Sequence, residues 1–379
     1  MIIFHAEAAP DSGPLVRGLA EARRSLAERQ RVGFLAAGAD TATIVGGPPD
    51  GLSFGERLKA AVSGRESDRG AGSGGVVVLG SGSIPLARTG DLRSLVDVAA
   101  GPGGHALTNN RYSADVVAIS RAADLLELPP LPADNALPRW LEERAGVAVA
   151  DLRSRWRLGV DIDTPLDLLV LRVPCAAVAE LRGSAPLIGE RLAALSDVLT
   201  NRRAELLVAG RVSAATLRWL EGGVACRVRA LVEERGLRAA SRLAQSGATT
   251  GVRPPRSVLG ELLDRDGPES LARTVASLAD AALIDTRVLL AHRHGAEDAG
   301  RLAAGGGPSA GGGPSPGAWP SAEDRFASDL LTAESIDDPW LRSLTESAAA
   351  SDNPIVLGGH TMVNGGLRLL AQRARTAAR

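Results

Sequence analysis

GVDIDTPLDLLVL, residues 159–171, has the pattern expected of a strand end that leads into the beginning of a helix. Asp161 and Asp163 are separated by one residue, and Thr164-Pro165 precedes an apolar run at helical spacing. A threonine followed by a proline is typical of a helix N-cap and first turn. The stretch therefore predicts a strand that leads into a capped helix. It leaves two roles open for Asp163, a metal ligand or a part of the helix cap.

The chain before this stretch alternates short apolar runs with amphipathic segments. Helices are predicted to begin near Ser53 and Asp91, behind or beside polar residues that favour an N-terminus. The predicted strands are 32–37, 42–46, 76–79 and 147–152. Strands that alternate with helices indicate an α/β domain with a largely parallel sheet covered on both faces.

Three segments are predicted along the whole chain. A first domain covers residues 1–172, a helical connection covers 173–200, and a second α/β domain covers 201–379. The strands predicted in the second domain are 204–209, 224–232, 281–291 and 354–357. Residues 302–318, LAAGGGPSAGGGPSPGA, are expected to form a disordered Gly/Pro loop.

Composition limits the classes of partner. The formal net charge of −1 provides no basic field for nucleic acid, and 3% aromatic residues argue against a base-stacking surface. No apolar run is long enough to span a bilayer, and the N-terminus lacks the pattern of a signal peptide. We expect a cytoplasmic protein with neither nucleic acid nor membrane as a partner, and homo-oligomerisation is left open.

Four short motifs follow one another in the first half. They are Ser53–Leu58, Ser83-Ile84-Pro85-Leu86, Thr108-Asn109-Asn110 and Asp161–Pro165. In this order they resemble the nucleotidyltransferase branch of the Rossmann-like GT-A fold, which includes the molybdenum-cofactor guanylyltransferases and the phospholactate guanylyltransferases. The resemblance covers roughly residues 30–172. It implies transfer of a nucleotidyl group from a nucleoside triphosphate to a small phosphorylated or acidic acceptor, with Mg²⁺ as cofactor.

The resemblance also implies a site at the strand ends. The residues expected to bind the nucleotide or the acceptor are Gly80, Ser81, Gly82, Asn109, Asn110 and Arg111. The family has a metal-binding aspartate two residues before the proline, where this chain has Ser83, so Ser83 and Asp163 are the expected metal ligands. The two adjacent amides suit recognition of a base or sugar, and they suit an Asx turn equally well. A catalytically degenerate nucleotide- or metabolite-binding or regulatory protein of the same fold is the alternative.

The second half contains a glycine-rich strand-to-helix loop, Gly358–Gly366, that includes His360. The N–H groups at the beginning of a helix favour an anion. The residues of the predicted anion site are Arg287, Arg325, Gly359 and His360. A divalent metal held by Asp285, His292, Asp329 and His360 is a second interpretation. Arginines in surface salt bridges, with glycines that only turn the chain, are a third. No catalytic residue follows from the sequence.

Overall fold

The computed structural model describes residues 1–47, 51–69, 74–131, 134–233, 255–295 and 319–377, apart from the side chains of 65–69. The described residues form an α/β structure with one mixed and one parallel sheet. They separate into two compact units, one of residues 1–10 and 20–161, the other of residues 11–19 and 162–377. The loop predicted to be disordered, 302–318, lies outside the described residues.

Strands and helices alternate through both units. The strands in the described residues are β1 (Ile2–Ala6), β2 (Thr43–Gly47), β3 (Val76–Gly80), β4 (His105–Thr108), β5 (Val116–Ile119), β6 (Ala148–Asp151), β7 (Glu205–Gly210), β8 (Arg227–Val232), β9 (Ala281–Asp285) and β10 (Ile355–Gly358). The α-helices there are α1 (Pro14–Ala36), α2 (Phe54–Arg69), α3 (Thr89–Ala100), α4 (Leu137–Glu143), α5 (Pro165–Leu171), α6 (Ala176–Ser184), α7 (Pro186–Thr200), α8 (Ala214–Gly223), α9 (Val258–Asp266), α10 (Leu271–Ala276), α11 (Thr286–His294), α12 (Ala322–Asp329), α13 (Pro339–Ala350) and α14 (Leu367–Ala377).

The first unit is built on a six-stranded sheet with the order β2-β1-β3-β5-β4-β6. β5 runs antiparallel to β3 and β4, and the other neighbouring strands pair in parallel. Alternate side chains of the central strands enter two separate apolar clusters, with Ile3 and Leu79 in one, and Ile2 and Val78 in the other. Both faces of the sheet are therefore buried, which explains why its central strands are continuously apolar.

The predicted strand at 32–37 is wrong, because these residues end the helix α1 or follow directly after it. Leu26, Gln30 and Phe34 recur every four residues, and all three are buried. That spacing places them on one face of a helix. Residues 32–37 taken alone show only an apolar run. The spacing typical of a helix becomes visible when the whole of α1 is considered.

The predicted beginning of α2 is confirmed in detail. The Glu56 N–H donates to Ser53 Oγ at 3.3 Å, and the Ser53 N–H donates to Glu56 Oε2 at 2.8 Å. This reciprocal pair is a capping box, which satisfies two N–H groups that the helix itself leaves without partners.

The second unit is built on a four-stranded sheet with the order β10-β9-β7-β8, in which every pair is parallel. The chain moves outward from β7 to β8 and then returns to the other side of β7, so the strand order reverses between β7 and β9. Loops on the two sides of such a reversal diverge and leave a crevice at the carboxyl ends of the strands. Gly210 ends β7 with a φ of +128°, and a Cβ atom there would lie 2.3 Å from Asp285 Cβ. Only glycine fits this position.

The strand predicted at 281–291 is confirmed for its first five residues and is wrong for the rest. β9 ends at Asp285, and α11 begins at Thr286. Asp285 Oδ1 accepts a hydrogen bond from the Arg287 N–H at 3.1 Å, so Asp285 is the N-cap of the helix. The apolar residues on both sides of this point are buried, and a buried run does not show by its period where a strand changes into a helix.

Candidate functional site

Two of the predicted motifs lie at the same edge of the first unit's sheet. β1, β3 and β4 share one direction, so their carboxyl ends lie along a single edge. Gly80 ends β3 and is followed by Ser81 and Gly82, and Asn109–Arg111 follows β4. The structure thus brings the six residues predicted to bind nucleotide or acceptor to one edge. Ligands of open α/β sheets bind at this kind of edge.

The loop after β3 is fixed by its neighbours. The Ser81 N–H donates to the Phe4 carbonyl oxygen at 2.8 Å, and Ser81 Oγ is 3.1 Å from His5 Nδ1. Gln30 of α1 donates to the Ser83 carbonyl oxygen. Ile84 has a φ of +45°, which is unusual for a β-branched residue. These contacts give the loop one defined backbone course at the strand end.

His5 is a buried polar residue of this edge that the sequence reading missed. Burial lowers the pKa of His5, and the charge of Arg24 lowers it further, so the imidazole is neutral at pH 7. A neutral imidazole can accept the hydrogen bond of a serine hydroxyl. The short apolar run Ile2–Phe4 could have indicated its position, because this run and His5 belong to the same strand, β1.

Ser83 is paired with an aspartate, Asp161, in the first unit. Ser83 and Asp161 form an isolated antiparallel bridge. Side chains of directly opposed residues in an antiparallel pair lie on the same face, with Cβ atoms about 5 Å apart. The side chains of Asp161 and Ser83 therefore leave the backbone on the same face. Asp163, the ligand predicted together with Ser83, belongs to the second unit.

The side chain of Asn109 is engaged by its own loop. Nδ2 donates to Asp115 Oδ2 at 2.6 Å and to the Leu158 carbonyl oxygen at 2.9 Å. Oδ1 accepts from the N–H groups of Asp115 at 2.9 Å and Val116 at 3.3 Å. Both hydrogens of the amide and both lone pairs of its oxygen are used. Asn109 shapes the loop through these four bonds.

The next two residues also have partners within the first unit. Asn110 Oδ1 accepts from the Tyr112 N–H at 3.1 Å, which is the Asx turn that the sequence left open. Arg111 forms a salt bridge with Glu142 and donates to the Val149 carbonyl oxygen at 3.3 Å. The loop after β4 is therefore held by the side chains that were expected to contact a ligand.

In the second unit, the cap of α5 is Thr164 and not Asp163. The Asp167 N–H donates to Thr164 Oγ1 at 3.3 Å, and the Thr164 N–H donates to Asp167 Oδ2 at 2.8 Å. The Asp163 N–H donates to the same carboxylate oxygen at 2.9 Å. The carboxyl group of Asp163 is 43% exposed, and its Oδ2 is 3.8 Å from His360 Nδ1. A nitrogen and an oxygen donor at this distance suit a transition-metal ion better than Mg²⁺.

The carboxyl group of Asp167 is buried beneath this cap. Burial, with a smaller contribution from the nearby charge of Asp163, raises the pKa of Asp167 to about 7, against the lowering effect of hydrogen bonds from the N–H groups of Asp163 and Thr164. A residue that caps a helix at acidic pH thus acquires a buried negative charge only near neutral pH.

The residues of the predicted anion site have partners of their own. Arg287 is buried and binds Asp329 through two parallel contacts, with Nη2 2.6 Å from Oδ2. Arg325 lies over the Trp319 ring, with its Cζ 5.6 Å from the centroid. Gly359 lies in the loop after β10 beside Thr164, and His360 faces Asp163. Each arginine side chain therefore has a defined contact within the second unit.

Two residues of the predicted metal site, His292 and Asp329, also have other partners within the second unit. His292 Nδ1 accepts from the Ser257 N–H at 3.0 Å, and its Nε2 is 3.0 Å from Asp264 Oδ2, so both ring nitrogens are engaged. Asp329 neutralises Arg287. Asp285 Oδ2 is buried without a hydrogen-bond partner among the described residues.

Two further observations concern the chain as a whole. Within the described ranges, no helix has both the length and the apolarity needed to cross a membrane. Comparison with protein families, with curated proteins and with solved structures finds no match to this chain.

Proposed function

We propose that this chain is a nucleotidyltransferase-like protein of the GT-A fold. It binds a nucleoside triphosphate at the carboxyl edge of the first unit's sheet and transfers a nucleotidyl group to a small phosphorylated or acidic acceptor. The observation that supports this proposal is the pairing of Ser83 with Asp161. This pairing puts an aspartate on the same face as the serine that stands where the resembled family has its metal-binding aspartate.

The donor set at this position fits Mg²⁺. Ser83 offers a hydroxyl oxygen and Asp161 a carboxylate oxygen, and Mg²⁺ prefers oxygen ligands, usually one or two carboxylates together with substrate phosphates. Bound there, Mg²⁺ would neutralise negative charge on the phosphate groups, which is a principal requirement of phosphoryl chemistry. The role of the chain's residues is to hold these oxygens and to fix the loop that would face the phosphates.

The loop Gly80–Ser83 supports binding through its backbone. His5 holds Ser81, and Gln30 holds the Ser83 carbonyl group, so the loop conformation exists before any ligand arrives. A preformed site loses less conformational entropy on binding. Its glycines also let a ligand approach the backbone closely.

The second candidate is a binding or regulatory protein of the same fold without turnover. The side chains of Asn109, Asn110 and Arg111 are occupied by the loop itself. Recognition at this loop would then depend on backbone groups and on shape. A site of that kind can bind a nucleotide or metabolite and still lack the charge stabilisation that transfer requires.

Thermal unfolding with GTP, CTP and ATP, each with and without Mg²⁺, tests both candidates. A ligand at one hundred times its Kd stabilises the native state by about 2.7 kcal/mol. We expect a Mg²⁺-dependent shift that Asp161→Asn abolishes, that Ser83→Asp increases, and that the exposed control Asp97→Asn leaves unchanged. Pyrophosphate release with candidate acceptors then separates transfer from binding alone. If no nucleotide shifts the transition, the transferase candidate is wrong, and the second candidate is reduced to a protein that binds a metabolite other than these nucleotides.

A further inference from the structure

A cavity of about 480 Å³ lies in the second unit among the helices α5, α6, α7 and α14. It is separate from the strand ends described above, and none of the sites predicted from sequence includes its residues. Its volume is within the range of small-molecule sites. Two features of its lining, the arginines and the apolar floor, indicate the kind of ligand that it would accept.

Three arginines surround the cavity. They are Arg172 after α5, Arg182 on α6 and Arg373 on α14. Within the described part of the chain, none of the three has a salt bridge or a side-chain hydrogen bond. Arg172 and Arg182 are exposed, whereas Arg373 is half-buried. A guanidinium group that lies partly buried usually has an acidic partner, because desolvation of an unpaired charge is unfavourable. Arg373 is an exception to that rule.

The charges of two of these arginines oppose each other. Burial lowers the pKa of Arg373, and the charge of Arg172 lowers it further. An anion between the two guanidinium groups would relieve the repulsion and would replace the hydration that burial removes. Guanidinium groups also bind phosphate and carboxylate with two parallel hydrogen bonds.

The backbone of Arg172 provides a second, independent observation. Arg172 adopts the left-handed conformation, with φ 54° and ψ 45°, as the C-cap of α5. This conformation is unfavourable for a residue with a side chain, and glycine is its usual occupant. The Arg172 N–H donates to the Leu168 and Leu169 carbonyl oxygens, so the direction in which the side chain leaves the helix end is fixed.

The floor of the cavity is aliphatic. Leu169, Val170, Leu192 and Leu370 line it, and Gly189 and Ala193 leave room beside them. None of the described lining residues is aromatic, so the cavity offers no surface on which a nucleobase would stack. An aliphatic chain is the ligand body that such a floor favours.

We infer that this cavity binds an amphiphilic anion, a phosphate or carboxylate group attached to a short aliphatic chain. Arg172 and Arg373 bind the anionic group, Arg182 lies at the rim, and the aliphatic floor buries the chain. The inference involves neither a nucleotide nor Mg²⁺, and it does not depend on the function proposed for the first unit.

Calorimetric titration of the full chain tests this inference. The probes are octyl phosphate and octanoate below their micelle-forming concentrations, inorganic phosphate, and octyltrimethylammonium. We expect octyl phosphate to bind at least about tenfold more tightly than inorganic phosphate, because each buried methylene contributes up to about fourfold in affinity. The cationic probe should not bind. Equal binding of octyl phosphate and inorganic phosphate would show that the aliphatic floor has no role and would overturn the inference.

Three variants locate the ligand. Arg172→Gly removes a charge while favouring the left-handed backbone, so it should fold at least as well as the natural chain. It should weaken octyl phosphate binding about tenfold or more, as should Arg373→Gln and the cavity-filling Ala193→Phe. Arg218→Gln, an exposed change on α8, is the control and should bind normally.

Unchanged affinity in the first three variants would overturn the inference. Binding to phosphatidylglycerol vesicles without binding to free octyl phosphate would also overturn it, in favour of a lipid surface as the ligand.

Discussion

Two sets of contacts at the carboxyl ends of the sheets satisfy polar groups in different ways. In the loops after β3 and β4 of the first unit, the neutral side chains of Ser81, His5 and Asn109 hydrogen-bond to neighbouring residues. In the second unit, Arg287 and Asp329 form a buried ion pair. A neutral hydrogen bond contributes about 1 kcal/mol net, whereas breaking a buried ion pair costs several times more. Loss of one of these neutral side chains should therefore cost less than loss of one partner of the Arg287–Asp329 pair, and the second edge should respond strongly to charge and pH.

The largest effect is expected at the ion pair. Asp329→Asn leaves the Arg287 charge buried without its partner and should lower the free energy of unfolding by about 3–5 kcal/mol. Urea denaturation followed by circular dichroism measures the change, and Asp337→Asn, an exposed acid nearby in sequence, is the control. The double variant Arg287→Met/Asp329→Leu removes both charges and should recover most of the loss. A small effect of Asp329→Asn would contradict the contrast between the two edges.

The second effect is a pH dependence at Asp167. The pKa of about 7 in the folded state lies above the ordinary value of 3.8. Between these values the folded state keeps a proton that the unfolded state has lost, so stability falls as pH rises from about 4 to about 7. The full change is at most about 4 kcal/mol.

Asp167→Asn isolates this effect, because asparagine keeps an acceptor for the N–H groups of Asp163 and Thr164 but does not titrate. Urea midpoints measured from pH 4 to pH 8 should show that the stability of the natural chain declines relative to the variant over that window. Parallel pH profiles of the two proteins would show that Asp167 is ionised in the folded state throughout.

Strands and helices were predictable where a local pattern determines them. The apolar run at Val76–Leu79 predicted β3, and Ser53 with Glu56 predicted the beginning of α2. The predictions failed at 32–37 and after Asp285, where a helix presents several consecutive apolar residues. In both places, the packing of the surrounding elements decides the structure, and a single segment does not contain that information.

The candidate sites were less predictable, because their properties depend on contacts between distant residues. The sequence located the loops after β3 and β4 but did not show that Asp161 pairs with Ser83. It named Arg287 and Asp329 in different roles, as an anion ligand and a metal ligand, whereas they bind each other. The elevated pKa of Asp167 arises chiefly from burial, which a pattern of residues does not reveal.

The smallest effect distinguishes two adjacent asparagines of the first edge. Asn109→Ala removes an amide that makes four hydrogen bonds and leaves buried N–H and carbonyl groups without partners, so it should cost about 2 kcal/mol. Asn110→Ala removes one Asx-turn bond in a more exposed position and should cost less than about 1 kcal/mol. Urea denaturation of both variants measures the difference.

This pair also tests how the first edge is held. The cost of Asn109→Ala should change little between low and high salt, because the amide carries no net charge and is buried, so salt screens its hydrogen bonds weakly. The cost of Asp329→Asn should likewise persist in salt, since a buried pair is screened weakly, but it should exceed that of Asn109→Ala at every ionic strength. Equal costs for the two variants would mean that the ion pair and the amide network stabilise the protein by the same amount. The two edges would then differ in the chemistry of their contacts but not in the free energy that those contacts contribute.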